Sequence, residues 1–196
     1  LTHHSSSDRG VYTFCMCPGG YVVNSSSEEG MLAINGMSYS NRDSLNANSA
    51  ILVTITPDDF GNHPLDGLEF QRKLEKKAFE IGKGKIPIQL FKDYKENKIS
   101  NAFGSINPLF KGNYNFSNLN ELFPDYINES IKEGIISWDR KIKGFASNDA
   151  ILAGCESRSS SPIRINRNEL GECNIKGIYP IGEGAGYAGG ITSSAI

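Results

Sequence analysis

Between Val11 and Thr56 the apolar residues fall in short runs of β-branched and aromatic side chains, VYTFCMC, YVVNSS, MLAING and AILVTIT. Turn residues separate them: Pro18-Gly19-Gly20, Glu29-Gly30 and Asn46 to Asn48. Runs of this length and composition signal strands. Linkers this short join antiparallel neighbours, because a parallel crossover needs roughly a dozen residues or more. The expectation is a meander or a small barrel-like sheet.

The period changes over residues 64–82, PLDGLEFQRKLEKKAFEIG. Phe70, Leu74, Ala78 and Ile81 share one helical face, with Arg72, Lys73, Glu75 and Lys76 largely elsewhere. Pro64 suits a helix start and Gly82 a stop. A weaker helical stretch is expected over Ile88 to Lys95, followed by a loop rich in Asn, Ser and Gly to about residue 117. Pro124 opens a second clear helix, in which Ile127, Ile131, Ile135 and Trp138 repeat at helical spacing. Gly134 within it costs about 1 kcal/mol of propensity relative to Ala. Strand-type runs return at Ala150 to Cys155, Ile163 to Asn166 and Gly177 to Ile181. Strands, then helices, then strands argue an α+β fold, a mainly antiparallel sheet with two or three helices.

Composition narrows the function classes. The 20 Lys and Arg are offset by 22 Asp and Glu and form no basic stripe, so neither nucleic acid nor anionic lipid is indicated as a partner. No run approaches the roughly 18 apolar residues of a membrane span, and the polar start LTHHSSSDRG is unlike a signal peptide. Four cysteines in 196 residues make no disulfide scaffold, which points to a cytoplasmic protein. His3 and His4 lie in the polar start and His63 precedes Pro64, so no Ser, His and Asp grouping suggests a hydrolase. A catalytic acid or base cannot be named from these residues, and no metal set stands out.

The tail carries the chemistry. In GIYPIGEGAGYAGGITSSAI a short apolar run enters a turn with glycines at 182, 184, 186, 189 and 190, followed by helix-compatible residues. A strand, glycine turn and helix aim unpaired backbone N–H groups at an anion or polarised carbonyl oxygen, and glycine lets a cofactor approach the backbone. Glu183 can accept hydrogen bonds from sugar or ribityl hydroxyls. Gly184, Gly186 and Gly189 satisfy the GxGxxG spacing, a pattern that a ligand-free glycine turn also meets.

The whole phrase resembles the closing flavin-binding motif of a bacterial family of uncharacterised FAD-dependent dehydrogenases, the NAD(FAD)-utilising dehydrogenases. The resemblance extends to GVYTFCMCPGGYVVNSSSEEG at 10–30, NGMSY at 35–39 and ESRSSSPIRI at 156–165. It implies a longer protein, with an amino-terminal FAD-binding βαβ unit and a domain inserted between two halves of the flavin domain. No strand followed by GxGxxG and a helix occurs near the start of this chain, so it is expected not to bind FAD alone. Residues 1–170 would be the inserted substrate or cap domain and 171–196 a C-terminal remnant of the flavin domain. The resemblance implies FAD contact by Gly182, Glu183, Gly184, Ala185, Gly186, Gly189, Gly190 and Ile191, an unknown small-molecule substrate, and NAD(P)H as a candidate partner.

Two further groups stay open. Arginine and hydroxyl groups in ESRSSSPIRINR can hold a flavin edge or an anionic substrate through forked hydrogen bonds, or form a solvated turn. The resemblance favours Arg158 and Ser160 for contact with substrate or flavin. Cys15 and Cys17 sit two apart, so in a strand both thiols face one side. They can be a redox pair beside flavin, part of a metal set with Cys155 and Cys173, or small buried hydrophobes, and Cys17 is the candidate for ligand contact. The first expectation is thus a fragment of an FAD-dependent oxidoreductase, inactive alone. The alternative is a stand-alone α+β binding or interaction module.

Overall fold

The structure, a computed structural model, describes residues 2–6 and 9–195. The side chains of His3 and His4 lie outside the described residues. Strands β1 (Thr2–Ser6), β2 (Arg9–Cys17), β3 (Gly20–Asn24), β4 (Ile34–Ser38) and β5 (Asn48–Val53) come first. Next are helices α1 (Pro57–Phe60) and α2 (Asp66–Gly82), strand β6 (Ile86–Leu90), helix α3 (Phe91–Lys95) and strands β7 (Phe110–Lys111) and β8 (Tyr114–Phe116). A 3-10 turn (Leu119–Glu121), helix α4 (Asp125–Trp138), strand β9 (Ile151–Ala153) and helix α5 (Ile191–Ala195) complete the order. The class is α+β, and among the described residues only α2 and α4 exceed five residues.

The strands form three sheets of three, in the orders β1-β2-β5, β4-β3-β7 and β8-β6-β9. The expected meander is therefore corrected. After Cys17 the chain leaves one sheet and enters another at Gly20 instead of folding back as a hairpin. The cause is a bulge: the β2–β5 register shifts between Phe14 and Cys17, with Cys15 at φ +55°. Such a bulge bends its strand and raises the local twist. Two pairings, β3–β7 and β6–β8, are parallel, which the short-linker rule missed because both join strands far apart in sequence.

The helical reading of Ile88 to Lys95 is corrected for its first half. Every residue of β6 is buried, with β8 on one side and β9 on the other. A continuous apolar run in a central strand has no alternation to distinguish it from a buried helix. The remainder is α3, which buries Phe91 and Tyr94.

The chain divides into two compact units, one of residues 1–55 and 74–156, the other of 56–73 and 157–196. All three sheets belong to the first. Its core gathers Leu32, Ile34, Ala78, Ile86, Ile88, Phe91, Leu119 and Ile135. Helix α4 turns Ile127, Ile135 and Trp138 inward as its spacing predicts. Gly134 has a packing reason: a Cβ there would stand 2.8 Å from Val11 Cγ1 on β2. Glu75, read from the pattern as lying off the apolar face of α2, is instead fully buried.

In the second unit the strands expected at Ile163 to Asn166 and Gly177 to Ile181 do not form. Each would need a neighbouring strand, and among the described residues this unit supplies none. Pro180 also lacks the N–H that a ladder uses. Among the described residues no helix is long and apolar enough to cross a membrane.

Candidate functional site

Residues 182–187 of the second unit form a tight turn. Gly182 and Gly186 take φ values of +73° and +82°, a region that favours glycine. Gly186 N–H donates to Glu183 O (2.8 Å) and Tyr187 N–H to Gly182 O (3.1 Å). The segment after Ser160 holds this turn in place. Ser161 Oγ donates to Gly184 O (3.1 Å), and Ile165 N–H to Ala185 O (3.2 Å). Tyr187 Oη donates to Ile165 O (3.0 Å), and its ring lies against the guanidinium groups of Arg164 and Arg167, at 4.3 and 3.7 Å. Arg167 Nη1 also donates to Pro180 O at 2.7 Å.

Arg167 is thus a clasp between the entry and exit of the turn. Its stacking contributes about 0.5–1 kcal/mol and its charged hydrogen bond about 1.5 kcal/mol or more. Arg167→Ala is expected to speed hydrogen exchange at Ile165 and Tyr187 by about tenfold, with the first unit unaffected. Unchanged exchange at those amides would mean that the clasp does not hold the turn.

The outer side of the turn is open. An added Cβ at Gly184 or Gly189 meets no atom within 4 Å, and Glu183 is exposed. Gly190 N–H bonds Ser193 Oγ at 3.1 Å, and Ile191, the first residue of α5, is exposed. Because α5 is a single short turn, its dipole adds little and the glycine backbone itself is the available surface. Gly184 and Gly189 thus leave their backbone open on the same segment as the exposed carboxylate of Glu183.

Of the other candidates, Arg158 and Ser160 are exposed and fall in the same unit as the turn. Cys17 falls in the first unit, together with Cys15. The bulge breaks the strand alternation that would set both thiols on one side: Cys15 is exposed, whereas Cys17 is partly buried. The Cys17 thiol donates to Cys15 O at 3.3 Å. Burial pushes the thiol's pKa up, with Cys15 and Glu156 adding and Arg42 opposing, so it is protonated at neutral pH and a poor nucleophile. None of the four cysteines is in a disulfide. Among the described residues no group of three His, Cys, Asp or Glu side chains is placed to hold a metal ion.

The first unit also holds a feature that the sequence did not announce, a cavity of about 560 Å³ among its sheets and α4. Its wall is mainly apolar, and Glu156 and Asn48 are among its lining residues. Burial holds the Glu156 carboxyl above the usual carboxylate pKa. The folded state therefore favours the protonated acid. That contribution is complete below the unfolded pKa of about 4.3 and is lost as pH rises through the folded value. Glu156→Gln is expected to raise the melting temperature at about pH 7 and to leave it unchanged at about pH 4. Equal melting at both values would contradict the burial effect.

Comparison with known proteins gives the family of the chain. The profile of the family described as FAD-dependent protein, C-terminal domain-like, matches residues 1–159. An uncharacterised protein of Clostridium beijerinckii is 53% identical over 201 residues, covering all of this chain and 38% of the relative. The chain therefore spans well under half the length of that relative.

Proposed function

We propose, from the premise that this chain belongs to the FAD-dependent protein, C-terminal domain-like family, that it is the cap and flavin-contacting portion of a longer FAD-dependent oxidoreductase. Residues 1–170 are then the inserted substrate domain and 171–196 the returning piece of the flavin domain. The observation that supports this reading is the joining of residues 161–167 to residues 180–187 in one locked turn, with Gly184 and Gly189 open on its outer side. Exposure supports it as well: Ile178, Tyr179 and Ile181 are 49%, 58% and 71% exposed, as expected of a strand whose sheet lies elsewhere.

In the longer protein FAD, when bound, supplies the hydride chemistry. Gly182, Gly184, Ala185, Gly186, Gly189, Gly190 and Ile191 would hold it by backbone approach, and Glu183 would offer its carboxylate to a ribose or ribityl hydroxyl. Arg158, Ser160 and Cys17 are assigned to flavin or substrate contact. The substrate is a small molecule, NAD(P)H is the candidate electron donor, and the location is cytoplasmic. Alone, the chain is catalytically silent.

The test uses substitutions to which the turn itself is indifferent. A Cβ added at Gly184 or Gly189 meets no atom beyond the chain neighbours within 4 Å, so Gly184→Val and Gly189→Val suit the test. In the longer protein both are expected to remove most of the flavin absorbance, while the same changes leave the melting of this chain unaltered. Glu183→Ala should weaken FAD retention by about tenfold, the loss of one charged hydrogen bond. Full flavin content in all three variants would sink the proposal, as would stoichiometric flavin on this chain alone.

A further inference from the structure

A folded interior is packed nearly as densely as an organic crystal, with few voids larger than a water molecule. The first unit departs from that rule at a pocket that opens to solvent beside Leu45. Its cavity of about 560 Å³ lies within the roughly 300–1,000 Å³ typical of small-molecule sites. Rigid elements form the wall: Phe91 from α3, Leu122 and Phe123 before α4, Ile135 within it, and Leu152 of β9. At the rim stand Leu45, 99% exposed, and Met16, 46% exposed, apolar side chains that an occupant would cover. Cys15 also lines the cavity, from the bulged position with φ +55°, and bulges of this kind commonly re-aim side chains beside binding sites.

The polar groups of the lining decide the class of occupant. Asn48 spends its amide hydrogens on Tyr21 O (3.0 Å) and Met37 O (3.3 Å), while its Oδ1 is buried with no hydrogen-bond partner. A Cβ at Gly36 would stand 2.4 Å from that oxygen, so the side chain is wedged and cannot turn its donors inward. Glu156 adds a second acceptor and a negative charge, and the lining's lysine, Lys143, is exposed. Glu156 is the carboxylate of the lining; besides Lys143, its other polar side chains, among them Tyr21, Asn35, Asn46 and Ser49, are neutral.

We infer that the cavity of the first unit binds a small, neutral, largely apolar molecule bearing one N–H or O–H donor, held by the apolar wall and by the carboxyl of Glu156. As the seat of the substrate this rests on the flavoprotein reading. As a binding site it stands on the cavity alone.

The probe is N-phenylnaphthylamine, a neutral aromatic amine with one N–H whose fluorescence rises in apolar surroundings. Titration into this chain is expected to give saturable one-to-one enhancement, and the anionic anilinonaphthalene sulfonate should bind at least about tenfold more weakly. Ala153→Phe, which fills the cavity from β9, should weaken the amine by at least about tenfold, and Glu156→Leu by several-fold. Ile178→Ser and Ile181→Ser, on the exposed tail, should leave binding unchanged. Absence of saturable binding overturns the inference, as does wild-type affinity in a folded Ala153→Phe protein. If Ala153→Phe does not fold, wild-type affinity in Glu156→Leu overturns it equally, and so does binding that disappears with the tail substitutions. No flavin enters this titration, so its failure is distinct from failure of the flavin test.

Discussion

Gly186→Val is expected to dismantle the tail's turn and, in the longer protein, to reduce FAD content below about a tenth of wild type. Gly186 holds φ at +82°, which costs a β-branched residue about 1–2 kcal/mol or more. A Cβ there would stand 2.6 Å from Ile163 O and 3.0 Å from Arg164 Cα. Both are backbone atoms, so no side chain can swing aside, and the two strands of the turn must separate. The hydrogen bonds from Ile165 to Ala185 and from Tyr187 to Ile165 are then lost, at about 1 kcal/mol each. Together with the backbone strain this comes to about 4 kcal/mol, enough for the Ile165 and Tyr187 amides to exchange as in an open chain. Gly184→Val separates the causes, because it removes flavin while exchange stays slow. Wild-type exchange in Gly186→Val would show that residues 163–165 do not back the turn.

The second large effect lies in the first unit. Gly134→Leu should destabilise this chain by about 2–4 kcal/mol, read as a lower denaturant midpoint with an unchanged slope. Leucine at a helix interior gains nearly 1 kcal/mol of propensity over glycine, which by itself would stabilise α4. Steric crowding against β2 outweighs that gain. The new Cβ would already lie 2.8 Å from Val11 Cγ1, Val11 is fully buried on β2, and the Trp138 ring stands 3.4 Å away. Overpacking of this kind costs about 1–3 kcal/mol, more where the neighbours cannot move. Gly134→Ala, with propensity and clash nearly balanced, should fall within about 1 kcal/mol of wild type. Equal stability of the leucine variant would show that α4 and β2 are not in close contact there.

Periodicity made the two long helices legible, because Phe70, Leu74, Ala78 and Ile81, and Ile127, Ile135 and Trp138, each fall on a face that burial confirms or partly confirms. Strand composition located β2 to β5 and β9 but not their partners. Pairing was set by a bulge at Cys15 and by contacts with β7, far along the chain, and neither leaves a mark in local pattern. β6 was hidden because a strand covered on both faces has no alternation, and β1 because its residues, THHSS, are polar. In the tail the glycine turn was visible, whereas its fastening was not. Ser161, Arg164, Arg167 and Tyr187 are ordinary polar residues until the chain folds back and brings them together. The cavity left no signal at all, since its walls are the same apolar residues that would fill a solid core.

Pro180 has a consequence of its own. The run Ile178-Tyr179-Pro180-Ile181 is apolar and uncharged, with Ile178, Tyr179 and Ile181 exposed, and without its proline it would be a template for strand-to-strand association between molecules. Proline withholds the N–H that an incoming strand would use, and its carbonyl is already engaged by Arg167 at 2.7 Å. The same residue therefore acts as a gatekeeper of solubility. Pro180→Val should make this chain form thioflavin-positive aggregates at concentrations where the parent stays monodisperse, and continued monodispersity of the variant would assign that protection to other residues.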